Sequence, residues 1–260
     1  MNVVAHTGHE DHAVVYIMED ASGRKLECVE SVQPPLSRMD KWVLLVSTLF
    51  GCPVGCPMCD AGGGYRGAPD ADAIMAQIDY MVDRRFPGRT VPSKQFKIQF
   101  ARMGEPCLNP AVLEVLRELP RRFNAPGLIP SVSTIAPAGC GPFLDSLKDL
   151  KDSLYSGGQF QLQFSIHSTD PDIRRRLIPV NTLNFEDLAR FGQRFFQPGD
   201  RKITLNFALA DHQPVDPDIL RRHFPPDRFL IKLTPLNPTF RAEANRMRSA
   251  IDPENPTGSL

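Results

Sequence analysis

The sequence feature that most constrains the fold is an alternation of apolar, strand-like runs with amphipathic, helix-like segments between residues 41 and 233. This pattern predicts six strands, at residues 41–49, 96–101, 129–135, 160–167, 203–209 and 228–233. It also predicts helices at residues 70–86, 110–123, 143–154, 171–177, 185–196 and 216–223. Strands that alternate with helices form a parallel sheet whose active site lies at the carboxyl ends of the strands. Six repeats rather than eight predict an α/β fold, a partial (βα)6 TIM-like barrel that is open on one side.

The segments on either side of this repeat are predicted to be smaller. Residues 1–12 are polar and predict a frayed terminus. Two β-rich runs, at residues 13–19 and 25–32, flank a turn and predict a hairpin. We therefore expect an N-terminal tail and β-hairpin extension at residues 1–40, the partial barrel at 41–240, and a C-terminal tail at 241–260.

Three of the six cysteines lie within eight residues, directly after the first predicted barrel strand. Cys52, Cys56 and Cys59 have the spacing Cys-x3-Cys-x2-Cys, which lets a compact loop turn three thiolates toward one soft metal centre. If they hold a 4Fe–4S cluster, one iron has no protein ligand and is open to an outside one. A radical S-adenosylmethionine (SAM) enzyme needs such an iron, because SAM must chelate it before it is cleaved reductively.

Two other interpretations of this cysteine group remain open. A closed structural zinc site needs four protein ligands, and no nearby Cys-x2-Cys or His-x3-His pair supplies the fourth. Disulfide formation is typical of secreted proteins, and the N-terminal residues lack the apolar segment of a signal peptide.

Composition excludes several classes of partner. The chain has 260 residues, with 30 basic and 30 acidic side chains, so no bulk charge attracts nucleic acid or an anionic membrane. No apolar run approaches the length of about 18 residues that a membrane span needs. We expect a soluble, cytoplasmic protein without a membrane partner.

Polar groups follow four of the predicted strands, where the barrel strands end. They are Gly104 and Glu105 in a Gly-Glu-Pro turn, Ser133 with Thr134, the segment Ser165-Ile166-His167, and Asn237. Each is ordinary by itself, as a turn, a strand-end hydroxyl or a structural histidine. Together they predict one site beside the cysteines, because the carboxyl ends of the strands share one rim.

Residues 25–239 also resemble the radical SAM enzymes that methylate an adenine of large-subunit ribosomal RNA at C2 or C8. The segments that carry this resemblance are Glu27-Cys28-Val29-Glu30-Ser31-Val32, Val46-Ser47-Thr48, the cysteine group, Gly104-Glu105-Pro106-Cys107-Leu108-Asn109, Val132-Ser133-Thr134, Ser165-Ile166-His167, Asp172-Ile173-Arg174, Ile178-Pro179-Val180-Asn181 and Pro235-Leu236-Asn237-Pro238. The order of the segments and their spacing make the resemblance specific.

The resemblance implies a 4Fe–4S cluster and SAM as cofactors, with a reduced flavodoxin or ferredoxin-type protein as electron donor. It assigns Cys52, Cys56 and Cys59 to the cluster. It implies that Gly104 and Glu105 meet the amino group of SAM, that Ser133 and the segment Ser165-Ile166-His167 meet its ribose or carboxylate, that Asn237 meets its adenosine part, and that Met58 lies against the adenine.

The chain departs from this family at the residues that handle the methyl group. The family uses one cysteine seven residues before the first cluster cysteine, where this chain has Leu45, and another in a segment after the sixth strand, where this chain has none. The family's helical N-terminal domain that binds RNA is also not seen in this sequence. We expect that the scaffold is kept, that cysteine-based methyl transfer is not, and that ribosomal RNA is an unlikely partner.

The function predicted from the sequence is therefore reductive cleavage of SAM to a 5′-deoxyadenosyl radical, which abstracts hydrogen from an unidentified, small-molecule substrate. One alternative is an RNA- or nucleotide-modifying, methyltransferase-like enzyme whose missing thiols come from elsewhere. Another is a non-catalytic iron–sulfur protein.

Four further features carry smaller predictions. Cys28 is expected to be a half-buried strand thiol and Cys140 to be inert, while Cys107 is a candidate redox thiol next to the Gly-Glu-Pro turn. The run Arg174-Arg175-Arg176 is expected to be a solvated helix face, or else to hold an anionic substrate at the barrel mouth.

Overall fold

The computed structural model describes residues 1–252, and in this range nine strands form one mixed sheet. The strands are β1 (Asn2–His9), β2 (Ala13–Glu19), β3 (Lys25–Val32), β4 (Lys41–Val46), β5 (Gln95–Phe100), β6 (Leu128–Thr134), β7 (Gln161–Ser165), β8 (Ile203–Leu209) and β9 (Phe229–Pro235). The helices are α1 (Ala71–Arg85), α2 (Ala111–Arg122), α3 (Gly141–Leu154), α4 (Pro171–Leu177), α5 (Phe185–Phe195), α6 (Pro217–His223) and α7 (Phe240–Ala244).

The last six strands confirm the predicted βα repeat. Strands β4 to β9 pair in parallel, each with the next in sequence. The two outermost strands, β1 and β9, do not pair with each other, so the sheet is open in the described part of the chain. This confirms an α/β fold of the partial barrel type.

The beginning of the chain differs from the prediction. Residues 2–9 are not a frayed end but form β1, which pairs antiparallel with β2. Strand β3 then pairs antiparallel with β4, so the predicted hairpin continues the barrel sheet without a break. Most of β1 is exposed on both faces, and it therefore lacks the alternation of apolar and polar residues that marks a half-buried strand.

The two faces of the sheet have opposite character. In β5, Phe96, Ile98 and Phe100 are fully buried in the core shared with the helices. The residues between them in β5 lie on the other face, because side chains alternate along a strand. On that face Gln163 of β7 donates a hydrogen bond of 3.3 Å to the hydroxyl of Ser133 in β6. The interior of the barrel is therefore polar.

The predicted C-terminal tail contains ordered structure. Residues 240–244 form α7, which packs against the loop that carries the cysteine group. The remainder of the predicted tail, from residue 253 onward, lies outside the described residues.

Candidate metal and cofactor site

The three clustered cysteines lie in the loop that follows β4, at the end of the sheet where the parallel strands terminate. The loop folds back on itself through a hydrogen bond of 3.1 Å from the Gly63 N–H to the Cys52 carbonyl. Gly51 has φ +78°, and a β-carbon there would lie 2.8 Å from the Gly63 carbonyl oxygen. Only glycine tolerates both the positive φ and this close contact, so Gly51 is required for the backbone conformation at the start of the loop.

Cys52, Cys56 and Cys59 are free thiols, each partly buried. Burial, followed by the neighbouring Cys59 and Cys52, raises the pKa of Cys56 to about 12. Burial likewise raises the pKa of Cys52. Thiolates in this place need a compensating positive charge, which a bound metal supplies.

All three thiols line one cavity of about 710 Å³ at the carboxyl end of the sheet. Among residues 1–252, no three Cys, His, Asp or Glu side chains converge closely enough to hold a single metal ion. A cubane cluster does not require such convergence, because each thiolate binds a different iron. The arrangement therefore fits the cluster that the spacing predicts.

The cavity also gathers nearly all the other residues predicted to form the site. Its lining includes Met58, Gly104, Glu105, Ser133, Ser165, His167 and Asn237. These residues come from the cysteine loop and from the ends of β5, β6, β7 and β9. Ile166 is the exception, because its side chain is fully buried in the main core and does not line the cavity.

The Gly-Glu-Pro turn is locked against the start of the cysteine loop. Gly104 has φ +99°, and a β-carbon there would lie 2.6 Å from Cβ of Leu49. Asn109, at the end of the turn, is buried and donates hydrogen bonds of 2.8 and 2.9 Å to the carbonyls of Thr48 and Pro69. The turn and the loop are therefore held as one unit.

Glu105 is almost fully buried at the edge of the cavity. Its carboxylate accepts hydrogen bonds from the Cys107 N–H at 3.0 Å, the Thr134 hydroxyl, and the Ile135 N–H at 2.9 Å. Burial raises the pKa of Glu105, and these hydrogen bonds oppose that shift. A carboxylate has about four acceptor sites, so one remains for a cationic ligand group.

His167 combines an uncommon backbone conformation with a lowered pKa. Its φ is +63°, which is uncommon for any residue except glycine. The Ala208 N–H donates to Nδ1 at 3.1 Å, and burial followed by the charge of Arg174 lowers the pKa of His167 to about 4. The imidazole is therefore neutral near pH 7 and carries its proton on Nε2.

One wall of the cavity is apolar. Val54, Met58, Ile135 and Leu236 line it and belong to a hydrophobic cluster that is separate from the main core. Such a wall suits the flat face of a purine, and Met58, which the resemblance places against the adenine of SAM, lies within it.

The main feature that the sequence analysis missed is the attachment of α7 to the cysteine loop. Arg241 donates to the carbonyls of Gly62 at 3.1 Å and Gly55 at 3.3 Å. The Thr239 hydroxyl donates to the Met58 carbonyl at 2.8 Å, and Asn245 donates to the Pro57 carbonyl at 3.0 Å. The only local signal was the helix-start pair Pro238-Thr239, because these contacts join residues about 180 positions apart.

Asp60 completes this attachment from the other side. Its carboxylate accepts from the backbone N–H of Arg241 at 2.9 Å and of Phe240 at 3.2 Å. The loop and α7 therefore satisfy each other's backbone groups.

The remaining cysteines lie away from the cavity wall. Cys28 is fully buried, not half-buried as predicted, and burial raises its pKa to about 12. Cys140 is also buried. Cys107 contacts the Thr134 hydroxyl at 3.1 Å, and burial, followed by the neighbouring Cys140, raises its pKa well above the usual value. None of the three lines the cavity.

The prediction that Arg174-Arg175-Arg176 forms a solvated face of α4 is wrong for one of the three residues. Arg174 is buried, whereas Arg175 and Arg176 are exposed. The helix turns Arg174 inward, where it donates to the Leu183 carbonyl at 2.8 Å.

The sequence of this chain is similar to those of known RNA methyltransferases. No family model matches the chain. It is 31% identical over 210 residues to the probable dual-specificity RNA methyltransferase RlmN of Desulfitobacterium hafniense (strain Y51), an alignment that covers 78% of this chain and 56% of that protein. It is also 31% identical over 209 residues to the dual-specificity RNA methyltransferase RlmN of Helicobacter hepaticus, covering 78% of this chain and 52% of that protein.

A solved structure shares the fold of this chain. A crystal structure of a radical SAM methyltransferase from Sphaerobacter thermophilus superimposes with a TM-score of 0.68 over 92% of this chain and 68% of that one, at 23% identity. The chain belongs to the radical SAM superfamily. It spans about half the length of the curated relatives that it matches.

Membership of the radical SAM superfamily implies a 4Fe–4S cluster and SAM as cofactors, and the residues present fit both. Three free thiols share a cavity with a buried carboxylate, a neutral imidazole and an apolar wall. The cavity volume lies within the range of about 300–1,000 Å³ that is usual for cofactor sites. No helix within residues 1–252 has the length and hydrophobicity needed to cross a membrane.

Proposed function

We propose that this radical SAM protein is an enzyme that cleaves SAM reductively and abstracts hydrogen from a polar substrate bound inside the open barrel. The observation that carries the proposal is the shared cavity, which is lined by Cys52, Cys56 and Cys59 together with polar groups from the ends of four strands. A non-catalytic iron–sulfur protein would have no use for the strand-end groups.

When bound, the cluster and SAM supply one-electron cleavage, which yields methionine and a 5′-deoxyadenosyl radical that takes a hydrogen atom from a substrate carbon. We infer that the electron comes from a reduced flavodoxin or ferredoxin-type protein.

Protein residues would hold SAM in place for this reaction. The free acceptor site of Glu105 would receive the ammonium of SAM, and Gly104 lets the backbone approach it closely. The Nε2–H of neutral His167, with the hydroxyls of Ser133 and Ser165, would donate to the ribose or carboxylate. Met58 would pack against the adenine, and Asn237 would bind the adenosine part.

The interior face of the barrel supports a polar, anionic substrate. On β5, Lys97 lies on the polar face, and its pKa is lowered to about 8 by burial first and then by the charges of Lys232, Lys41 and Arg201. An anion bound beside Lys97 would favour its charged form and offset the burial and the neighbouring positive charges that lower its pKa. The neutral net charge of the chain therefore conceals a local positive region.

The positions of the thiols argue against cysteine-based methyl transfer by this chain alone. Methyl transfer of that kind needs one thiol to carry the methyl group and another to release the product. Leu45 occupies the place of one of them on β4, and Cys28, Cys107 and Cys140 do not line the cavity. We propose hydrogen abstraction without a methylated cysteine.

A second candidate function is favoured by the relatives, which are RNA methyltransferases. They do not support the expectation that ribosomal RNA is an unlikely partner. Under this alternative an RNA nucleotide enters the barrel, and the thiols come from another polypeptide or from a part of the protein outside this sequence.

Three assays on anaerobically reconstituted protein test the proposal. With dithionite and SAM, the protein should release 5′-deoxyadenosine, and Cys56→Ala should abolish the release. Tryptic peptides that contain Cys28, Cys107 and Cys140 should show no added methyl group by mass spectrometry, and ribosomal RNA fragments should stay unmethylated. Absence of 5′-deoxyadenosine would overturn the radical reaction, and a methylated cysteine chased into RNA would establish the second candidate.

A further inference from the structure

A second cavity, of about 370 Å³, lies between α4, α5 and α6. It shares no lining residue with the cofactor cavity. Arg174, Arg175, Arg222 and His223 line it, and Glu186 is the acidic residue in its wall. The wall is therefore predominantly basic.

Arg174 is the unusual member of this wall. Only 6% of it is exposed, yet its Nε and Nη2 atoms are buried without a hydrogen-bond partner in the described chain. Its third nitrogen, Nη1, donates to the Leu183 carbonyl. The guanidinium also lies 5.5 Å from the centre of the Phe185 ring. These contacts hold the side chain in place and leave one edge of it unused.

The unused edge is the one with which arginine binds oxyanions. Nε and Nη2 point in the same direction and form a fork that matches two oxygens of a carboxylate or phosphate. Other arginines in this protein use this pair in that way. Arg85 binds Glu30, Arg89 binds Asp83, and Arg122 binds Asp79, each through Nε and Nη2.

Buried donors of a charged group that lack a hydrogen-bond partner are costly to keep, because they lose hydration and gain no hydrogen bond in exchange. Burial accordingly lowers the pKa of Arg174 to about 10. Arg174 lines the cavity, so a small rotation of its guanidinium would turn the Nε–Nη2 edge toward an anion bound there, which would restore the missing pair of hydrogen bonds. Since Arg174 is almost fully enclosed, the ligand must be small enough to enter the cavity, which excludes the backbone of a folded nucleic acid.

We propose that this cavity is a second ligand site that binds a phosphate group, either free or as a small phosphate ester. The Arg174 fork binds two phosphate oxygens, and Arg175 and Arg222 supply charge at the cavity mouth. Val180 and Ile219 in the wall offer apolar contact to the body of an ester. The site does not depend on the proposed radical reaction.

The test is isothermal titration of the 260-residue chain with inorganic phosphate and with phenyl phosphate, at constant ionic strength with chloride as reference. We expect saturable binding of at least one of the two. Tighter binding of phenyl phosphate would identify an ester as the preferred form, and equal or weaker binding would identify free phosphate. Absence of saturable binding for both would overturn the proposal.

Variants then locate the site. Arg174→Lys keeps a positive charge but loses the fork, and it should weaken binding at least about tenfold. Arg222→Gln and Arg175→Gln alter exposed residues, so these variants should fold normally, and each should weaken binding several-fold. They test the proposal even if the buried variant Arg174→Lys is unstable. Arg176→Gln removes the same charge from α4 outside this cavity and should leave the affinity unchanged. An equal loss in Arg176→Gln, or none in Arg222→Gln and Arg175→Gln, would show that the binding is not at this site.

Discussion

Removal of the Arg241 side chain is predicted to loosen the cysteine loop without disturbing the barrel. Arg241→Ala deletes the two hydrogen bonds to the Gly55 and Gly62 carbonyls, which lie on either side of Cys56 and Cys59. A hydrogen bond from a charged donor contributes about 1.5–3 kcal/mol. Because Arg241 is only partly buried and the bond to Gly55 is long, we expect a loss of about 2–4 kcal/mol for the pair.

This loss should appear as weaker retention of the cluster. A loop that is less ordered before the cluster binds must be ordered by cluster binding, which lowers the free energy of binding by the same amount. A loss of 2–4 kcal/mol therefore corresponds to roughly 30- to 1,000-fold weaker binding of the cluster. The assay is iron content after anaerobic reconstitution and challenge with graded chelator. Arg241→Lys, which keeps the charge but loses the fork, should fall between the wild type and Arg241→Ala.

Arg248→Ala is the matched control. Arg248 is exposed in the same C-terminal segment and, within residues 1–252, forms no side-chain hydrogen bond or ion pair. Wild-type iron retention in Arg241→Ala, or an equal loss in Arg248→Ala, would refute the role given to α7.

Three further predictions concern the cavity. Glu105→Gln should weaken SAM binding about tenfold or more, because a charge-assisted contact with the ammonium is lost. Titration calorimetry measures the affinity for SAM, with the exposed variant Glu118→Gln as the control. Wild-type affinity in Glu105→Gln would mean that Glu105 only shapes its turn. Between pH 6.5 and 4 the protein should lose up to about 3 kcal/mol of stability, because the unfolded chain protonates His167 there and the folded chain, with a pKa of about 4, does not. Urea unfolding over this pH range should show a shallower slope for His167→Gln, and parallel curves would contradict the assignment. Cys52→Ala, Cys56→Ala and Cys59→Ala should each prevent cluster assembly while Cys28→Ala keeps it, and iron retained in all of the first three would exclude the thiols as ligands.

Most strands and helices of the barrel could be predicted from the sequence because they bury one face, whereas β9 was predicted from its apolar run although Leu230 and Ile231 are exposed. Helix α2, for example, begins one residue after its predicted start and ends one residue before its predicted end. Strand β1 could not be predicted, since its residues contact solvent on both faces and only its pairing with β2 defines it. Helix α7 has five residues, too few to show a helical period.

In the site, too, local sequence patterns were predictive and long-range packing was not. The cysteine spacing and the strand-end residues predicted a set of side chains that, except for Ile166, line one cavity, because parallel strands bring their carboxyl ends to one rim. The roles of these side chains toward the cluster and SAM stay predictions. The triplet Arg174-Arg175-Arg176 gave no indication that one arginine turns inward. That depends on how α4 packs against the following loop, which a local charge pattern does not encode.

The most direct test of the central claim is the electron paramagnetic resonance spectrum of the reduced, reconstituted protein with and without SAM. The account predicts about four irons per chain and a change in the signal when SAM is added, because the iron without a cysteine ligand acquires one. Stoichiometric zinc without iron, or a cluster whose signal does not respond to SAM, would contradict it.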